Sequence, residues 1–212
     1  MPAFSFFSYR PLKRLLDCFA AAFLLIVMAP LMAGLSVLIL IDSGSPILFR
    51  QTRSGYKGDL FNLFKFRTLH SEKHNPATPQ QHVTRVGRVL RRWGLDELPQ
   101  LWNVMRGEMS LVGPRPTLPE QVARYTDKER RRLAVLPGLT GWAQIHGRNT
   151  LTWPDRIVLD CWYVENMSFW LDFYILCKTP ALLISGTGTY GPKGYNMDFR
   201  TEDHVAPPKT PS

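Results

Sequence analysis

Residues 18–41 read CFAAAFLLIVMAPLMAGLSVLILI, and from Cys18 to Ile41 no charged residue interrupts them. As a helix this run rises about 36 Å, against a hydrocarbon thickness of about 30 Å. It exceeds the roughly 7 to 15 apolar residues of a cleaved signal peptide, and no small-x-small cleavage site ends it. Pro30 falls mid-run, where a proline removes a backbone hydrogen bond and clashes with the preceding turn, so a kink or break is predicted between Met28 and Leu31. Arg10, Lys13 and Arg14 precede the run and Arg50, Arg53 and Lys57 follow it, so a positive-inside bias gives no direction. A spanning helix is open to this pattern, since Pro is tolerated in spans. A re-entrant helix that turns at Pro30 is favoured, because it keeps both basic clusters against anionic headgroups on the cytoplasmic side. Asp17, at the edge of the run, can pair with Lys13 or Arg14 at helical spacing.

The chain has 212 residues, 26 Lys plus Arg against 17 Asp plus Glu, and a hydrophobic fraction of 45%. That suits one compact domain with a real core and excludes disorder as the main state. A net charge of +9 and a pI of about 9.7 call for an acidic partner: nucleic acid, an anionic membrane or a phosphorylated small molecule. Mean hydropathy is −0.13, an average that hides the single apolar run. Cys18, Cys161 and Cys177 are too far apart for a metal site or redox pair and read as reduced. His70 and His74 have metal-ligand spacing on a helix, but Pro76 and Pro79 place them in a polar loop.

Beyond the anchor, Pro46–Gln51 and Leu60–Phe66 read as strands of a hairpin around the turn-rich Ser54–Asp59. Ser71–Gln81 reads as a loop. From His82 to Trp93, Val83, Val86, Val89 and Leu90 alternate at helical spacing with Arg85, Arg88, Arg91 and Arg92, a basic amphipathic helix suited either to a solvated core helix or to anionic lipid. A further helix is predicted from Thr117 or Leu118 to Leu136, opened by Pro119 and closed by Pro137-Gly138. Aromatic residues gather in the final third, and the chain after Thr201 reads as a disordered tail. The expected organisation is an anchor over 1–41, a cytoplasmic domain over 42–200 and a tail over 201–212. The expected fold is mixed α/β and helix-dominated, with a proline-broken re-entrant helix, amphipathic interfacial helices and a small sheet.

Chemistry gathers around Asp96-Glu97, a pair that in isolation reads as ordinary helix N-terminal charge. Its neighbourhood argues for more. Arg115 is clamped between Pro114 and Pro116, which fixes its backbone direction. Lys65-Phe66-Arg67 puts two cations on one face of a strand. Acidic groups able to hold Mg²⁺, a fixed Arg and a cationic strand edge suit a phosphoryl or pyrophosphate substrate.

These residues lie in seven ordered motifs: Lys13–Asp17, Pro30, Lys65–Thr68, Leu95–Gln100, Val112–Pro116, Pro137–Gln144, and Asp160–Val164 with Ser168–Asp172. Together they resemble the bacterial sugar transferases, the monotopic polyprenyl-phosphate phosphoglycosyl transferases, in a small form confined to the catalytic core. The likeness runs from about Tyr9 to Ser185. One departure is Ala29, where members commonly have Ser before the proline.

The resemblance implies transfer of a sugar 1-phosphate from a UDP-sugar to undecaprenyl phosphate with release of UMP, at the cytoplasmic face of a bacterial plasma membrane. Asp96 is then the nucleophile. Glu97 is a metal ligand or positioning residue, and the two carboxylates hold Mg²⁺. Lys65, Arg67, Arg91, Arg115, Thr140 and Asp172 are implied as further substrate-binding residues. Gly147-Arg148-Asn149 resembles members that use N-acetylated amino sugars such as di-N-acetylbacillosamine, with Arg148 and Asn149 on the acetamido group. Membrane lipids are then partners and nucleic acid is not needed. The competing expectation is a non-catalytic anchored module that binds anionic lipid or nucleic acid, which leaves the Asp-Glu pair beside a clamped Arg unexplained.

Overall fold

The computed structural model describes residues 6–70, 83–186 and Gly188. The expected loop at Ser71–Gln81, the His74 partner of His70 and the tail after Thr201 lie outside the described residues. Among those described, helices dominate and two short two-stranded sheets accompany them.

The first helix, α1, spans Phe6–Ser43 and holds both Pro11 and Pro30. The helical run continues through Pro30, where the sequence predicts a kink or break. One lost backbone hydrogen bond need not end a helix that packing holds on both sides. Its N-terminal half buries Tyr9 and Ala21 in the main core with Leu101, Val104, Met109, Leu111, Tyr163 and Ile175. Its C-terminal half buries Leu35 and Ile39 in a second cluster with Phe66 and Leu90. Between and around them Phe19, Phe23, Ile26, Val27 and Leu31 are exposed, Ile26 to 75%. By length and composition α1 is apolar enough to cross a membrane.

The predicted hairpin forms. Strand β1 (Leu48–Ser54) pairs antiparallel with β2 (Leu60–Phe66), with Leu48 opposite Phe66 and Ser54 opposite Leu60. Helix α2 (Arg85–Trp93) is capped by Thr84, whose hydroxyl accepts from Gly87 N, and buries Gly87 and Leu90. Its Val89 is exposed alongside Arg85, Arg88 and Arg92, so the apolar face is narrower than the spacing implies. The acid pair lies in a one-turn 3-10 segment, Leu95–Glu97, ahead of α3 (Gln100–Arg106) rather than in that helix's first turn.

The single helix predicted from Thr117 to Leu136 is instead divided into α4 (Pro119–Val122), α5 (Asp127–Arg130) and a 3-10 turn over Arg131–Ala134. Thr126 causes the interruption: its hydroxyl accepts from Glu129 N while the Glu129 carboxylate accepts from Thr126 N, a capping box that starts a new helix. Strand β3 (Ser110–Val112) pairs parallel with β4 (Gly138–Thr140). After β4 come α6 (Trp142–Ile145), α7 (Trp153–Asn166) and α8 (Phe169–Ser185). On α7 the buried residues Trp153, Arg156, Ile157, Asp160, Tyr163 and Val164 form one face at helical spacing. On α8, Phe169, Trp170 and Phe173 are exposed, Trp170 to 74%.

Two polar networks hold these parts. Asp172 accepts from Tyr9 Oη (2.8 Å), Lys13 Nζ (2.6 Å) and Tyr163 Oη (2.6 Å), while Asp17 accepts from Ser110 Oγ (2.7 Å) and Leu111 N (3.2 Å). These bonds tie the N-terminal part of α1 to α7, α8 and β3. At the other end, Asp42 accepts from Val86 N in the first turn of α2 at 3.1 Å.

Candidate active site

Each wall of the site follows from local structure. On β2, Phe66 turns into the second core cluster, so its neighbours Lys65 and Arg67 face the other way and line one cavity. Gly94, at φ 66°, caps α2 in the left-handed region and turns the chain directly into Asp96 and Glu97. The parallel pairing of β3 and β4 sends both following loops out from the same strand ends. One carries Arg115 and the other carries Ala143 and Gln144 into the cavity. Their approach is close: Gly113 N donates to Thr140 O at 2.9 Å, and a Cβ on Gly138 would lie 2.0 Å from Gly113 N. The remaining wall is Arg148, Asn149 and Arg156.

Glu97 and Asp96, adjacent in sequence, are treated differently. Glu97 Oε1 accepts from Lys65 Nζ at 2.7 Å and from Arg115 Nη2 at 2.8 Å. Asp96 forms no hydrogen bond or ion pair with the described residues. Burial works to raise Glu97, but the charges of Arg115 and Lys65 outweigh it and hold that carboxyl well below its ordinary value. For Asp96, burial first and repulsion from Glu97 second raise the carboxyl, and the pull of Lys65, Arg91 and Arg115 does not cancel them. Burial also lowers Arg148 and, with repulsion from Arg115, brings Arg156 down to about 10. The cavity is strongly cationic: Arg53, Lys65, Arg67, Arg91, Arg115, Arg148 and Arg156 line it against Asp96 and Glu97.

Eight of the sequence-predicted residues meet here: Asp96, Glu97, Lys65, Arg67, Arg91, Arg115, Arg148 and Asn149. Arg67 has a second duty, because its guanidinium donates to the main-chain carbonyls of Ser43, Gly44 and, at 2.8 Å, Ser45, fastening the exit from α1. Arg91 Nε donates to Thr68 Oγ1 at 2.9 Å. Thr140 and Asp172 are not among the residues that line the cavity. Thr140 Oγ1 lies 2.8 Å from Thr179 Oγ1, and Asp172 is committed to the network at the base of α1.

Sequence reading missed Arg156 and Gln144. Both ends of the buried Gln144 amide lack a hydrogen bond among the described residues. The signal for Arg156 was present: it shares the 153, 157, 160, 164 stripe of α7, where a charge in a core position calls for a partner. Beneath the site, Arg132 is 1% exposed and Asp160 0%. Arg132 pairs with Asp160, takes Tyr125 Oη as acceptor at 2.5 Å, and donates from Nη2 to Arg115 O at 3.0 Å. The arginine between two prolines is thus pinned from behind by its own carbonyl.

Among the described residues no group of three or more His, Cys, Asp or Glu side chains is placed to hold a metal. Mg²⁺ needs no such cage, since it binds through one or two carboxylates plus substrate phosphates and water. Asp96, with its oxygens unbonded, and Glu97 fit that role beside a phosphorylated substrate.

Comparison with known proteins places the chain in a family. The family described as bacterial sugar transferase matches residues 8–186. The uncharacterized sugar transferase EpsL of Bacillus subtilis is 45% identical over 180 residues, covering 84% of this chain and 89% of that protein. The UDP-glucose:undecaprenyl-phosphate glucose-1-phosphate transferase of Caulobacter vibrioides is 40% identical over 199 residues, covering 84% and 72%. The UDP-N-acetylgalactosamine-undecaprenyl-phosphate N-acetylgalactosaminephosphotransferase of Aeromonas hydrophila is 39% identical over 191 residues, covering 85% of this chain but 45% of its own length. The chain belongs to the bacterial sugar transferase family. It is an enzyme, and the expectation of a non-catalytic module gives way.

Proposed function

We propose that the chain transfers a sugar 1-phosphate from a UDP-sugar to undecaprenyl phosphate and releases UMP. The carrying observation is the contrast within the acid pair: Asp96 has no hydrogen bond among the described residues, while Glu97 is clamped by Lys65 and Arg115. An unencumbered carboxylate in a cationic cavity is suited to attack phosphorus. Asp96 attacks the phosphate next to the sugar, the bond to the UMP oxygen breaks, and UMP leaves with the electron pair. A phosphate oxygen of undecaprenyl phosphate then attacks the phosphosugar-aspartyl group, which frees the Asp96 carboxylate and forms the lipid diphosphate sugar. Dividing the transfer in two lowers each barrier. Mg²⁺, held by Asp96 and Glu97 with substrate phosphate, would neutralise charge on the pyrophosphate. Lys65 and Arg115 orient Glu97 and balance its charge. With UDP-sugar labelled in the phosphate next to the sugar, the wild-type protein is expected to carry label in the absence of lipid and Asp96→Asn is not. Label retained on the Asn variant would remove Asp96 as nucleophile.

The attachment to the membrane is read as re-entrant, on the cytoplasmic face. Lys13 and Asp42 lie about 43 Å apart along a straight helix, yet both bind the same domain. A helix crossing the bilayer would place those two residues on opposite sides of it. Exposed Phe23 and Ile26 on α1 supply an apolar surface for lipid between the two attachments. Cysteines introduced at Ser5, ahead of α1, and at the exposed Asp59 beyond it and labelled in intact cells are expected to be shielded from the outside together, and labelling of one of them alone from the outside would establish a span. For the sugar, Asn149 on the cavity wall beside Arg148 supports an N-acetylated amino sugar such as di-N-acetylbacillosamine, and a screen of UDP-sugars for UMP release tests it.

A further inference from the structure

Arg156 is 7% exposed and still lines the cavity. Its Nη2 donates to Arg148 O at 2.8 Å, and its guanidinium lies 4.8 Å from the centre of the Trp153 ring. Those contacts hold the side chain in place but supply no negative charge. Asp160, one turn along α7, attracts it electrostatically but is paired with Arg132 and lies beyond ion-pair distance from Arg156. Next to it, Arg148 has a buried Nη1 without a hydrogen bond among the described residues and is held at φ 51°. Across the cavity the situation differs, because Lys65 and Arg115 share Glu97. One wall therefore has its own counterion and the other has two arginines without one. Buried cations are retained where something pairs them, and in a cavity that partner can arrive with the ligand.

We propose that Arg156, together with Arg148, forms a phosphate subsite separate from the Lys65–Glu97–Arg115 cluster, binding the oxyanion of a phosphate monoester or diphosphate. The proposal rests on the phosphoglycosyl-transfer reading. Two substrates of that reaction offer the same chemistry: the diphosphate of the nucleotide sugar and the terminal phosphate of the lipid acceptor. The stacking face of Trp153 and the carbonyl of Arg148 preset the guanidinium plane, which favours two-pronged binding of such a group.

The test uses the full chain in nanodiscs, as wild type, Arg156→Gln and Arg156→Lys. Exchange of labelled UMP into UDP-sugar without lipid reports the nucleotide half-reaction, and the KM for undecaprenyl phosphate reports the acceptor. Arg156→Gln is expected to melt close to wild type and to lose at least about tenfold in one readout, with partial recovery in Arg156→Lys. Loss confined to exchange assigns the subsite to the nucleotide diphosphate, and loss confined to the lipid KM assigns it to the acceptor. Both readouts unchanged would overturn the proposal. So would an equal loss in both, with a lowered melting temperature that Lys does not restore. If wild type releases no UMP from any UDP-sugar, the transferase reading fails, and the subsite is judged by calorimetric binding of inorganic pyrophosphate. Affinity reduced about tenfold in Arg156→Gln upholds it, and unchanged affinity overturns it.

Discussion

At the base of α1 two carboxylates, Asp17 and Asp172, meet one lysine, and each of their four oxygens accepts a hydrogen bond from Tyr9, Lys13, Tyr163, Ser110 or Leu111. In the cavity the proportions reverse: arginines and Lys65 outnumber Asp96 and Glu97, and Asp96 has no bond among the described residues. Both regions place charge out of water, which is costly unless it is paired. The first is complete without a ligand and holds the fold together. The second is left unbalanced in the direction that an anionic substrate would correct.

Substitutions can break this contrast, and the largest effect is expected on the incomplete side. Asp96→Asn should reduce UMP release by on the order of a thousandfold or more, with a melting temperature matching wild type. Next comes Arg132→Met, which strands Asp160 as a buried charge and should cost about 3–5 kcal/mol in unfolding of the solubilised protein. Adding Asp160→Leu should recover most of that loss. Asp172→Asn, on the complete side, should cost about 1–3 kcal/mol while the KM for UDP-sugar stays within about twofold. A large KM change with normal stability would return Asp172 to the substrate.

The smallest effect is on pH dependence. In the proposed mechanism Asp96 attacks as the ionised form, and its carboxyl is raised, chiefly by burial, so activity should fall on acidification at a pH above its ordinary value of 3.8. Arg91 pulls that carboxyl down, and Arg91→Gln should move the acid limb of kcat/KM to higher pH. Glu97 has the opposite sign. Held low by its two cations, it contributes stability fully above its ordinary value of 4.5 and loses that contribution as pH falls through its folded value.

Local pattern accounts for what the sequence disclosed. The turn-rich Ser54–Asp59 between two short extended runs marked the hairpin, and the acid pair, the strand cations and the proline-clamped Arg115 converge on one cavity. What escaped depends on distant partners. Arg130, Arg131 and Arg132 look alike in sequence, yet Arg132 alone of the three is fully buried, because its counterion comes 28 residues later from α7. The helix predicted over 117–136 divides because Thr126 and Glu129 satisfy each other locally, a choice that hydrophobic spacing does not register. Asp172 and Thr140 belong to motifs that also contain cavity residues, but sharing a motif does not place two side chains in one site.

The attachment of α1 at two points has a consequence for how its sequence can change. One residue inserted between Ala22 and Gly34 would rotate everything after it by about 100°. Leu35, Ile39 and Asp42 would then swing away from their sockets while Tyr9, Lys13 and Asp17 stayed in theirs. The fold reads this helix by its rotational phase, as a hub reads a keyed shaft. Its exposed side chains are free to drift, but its residue count between the two sockets is fixed.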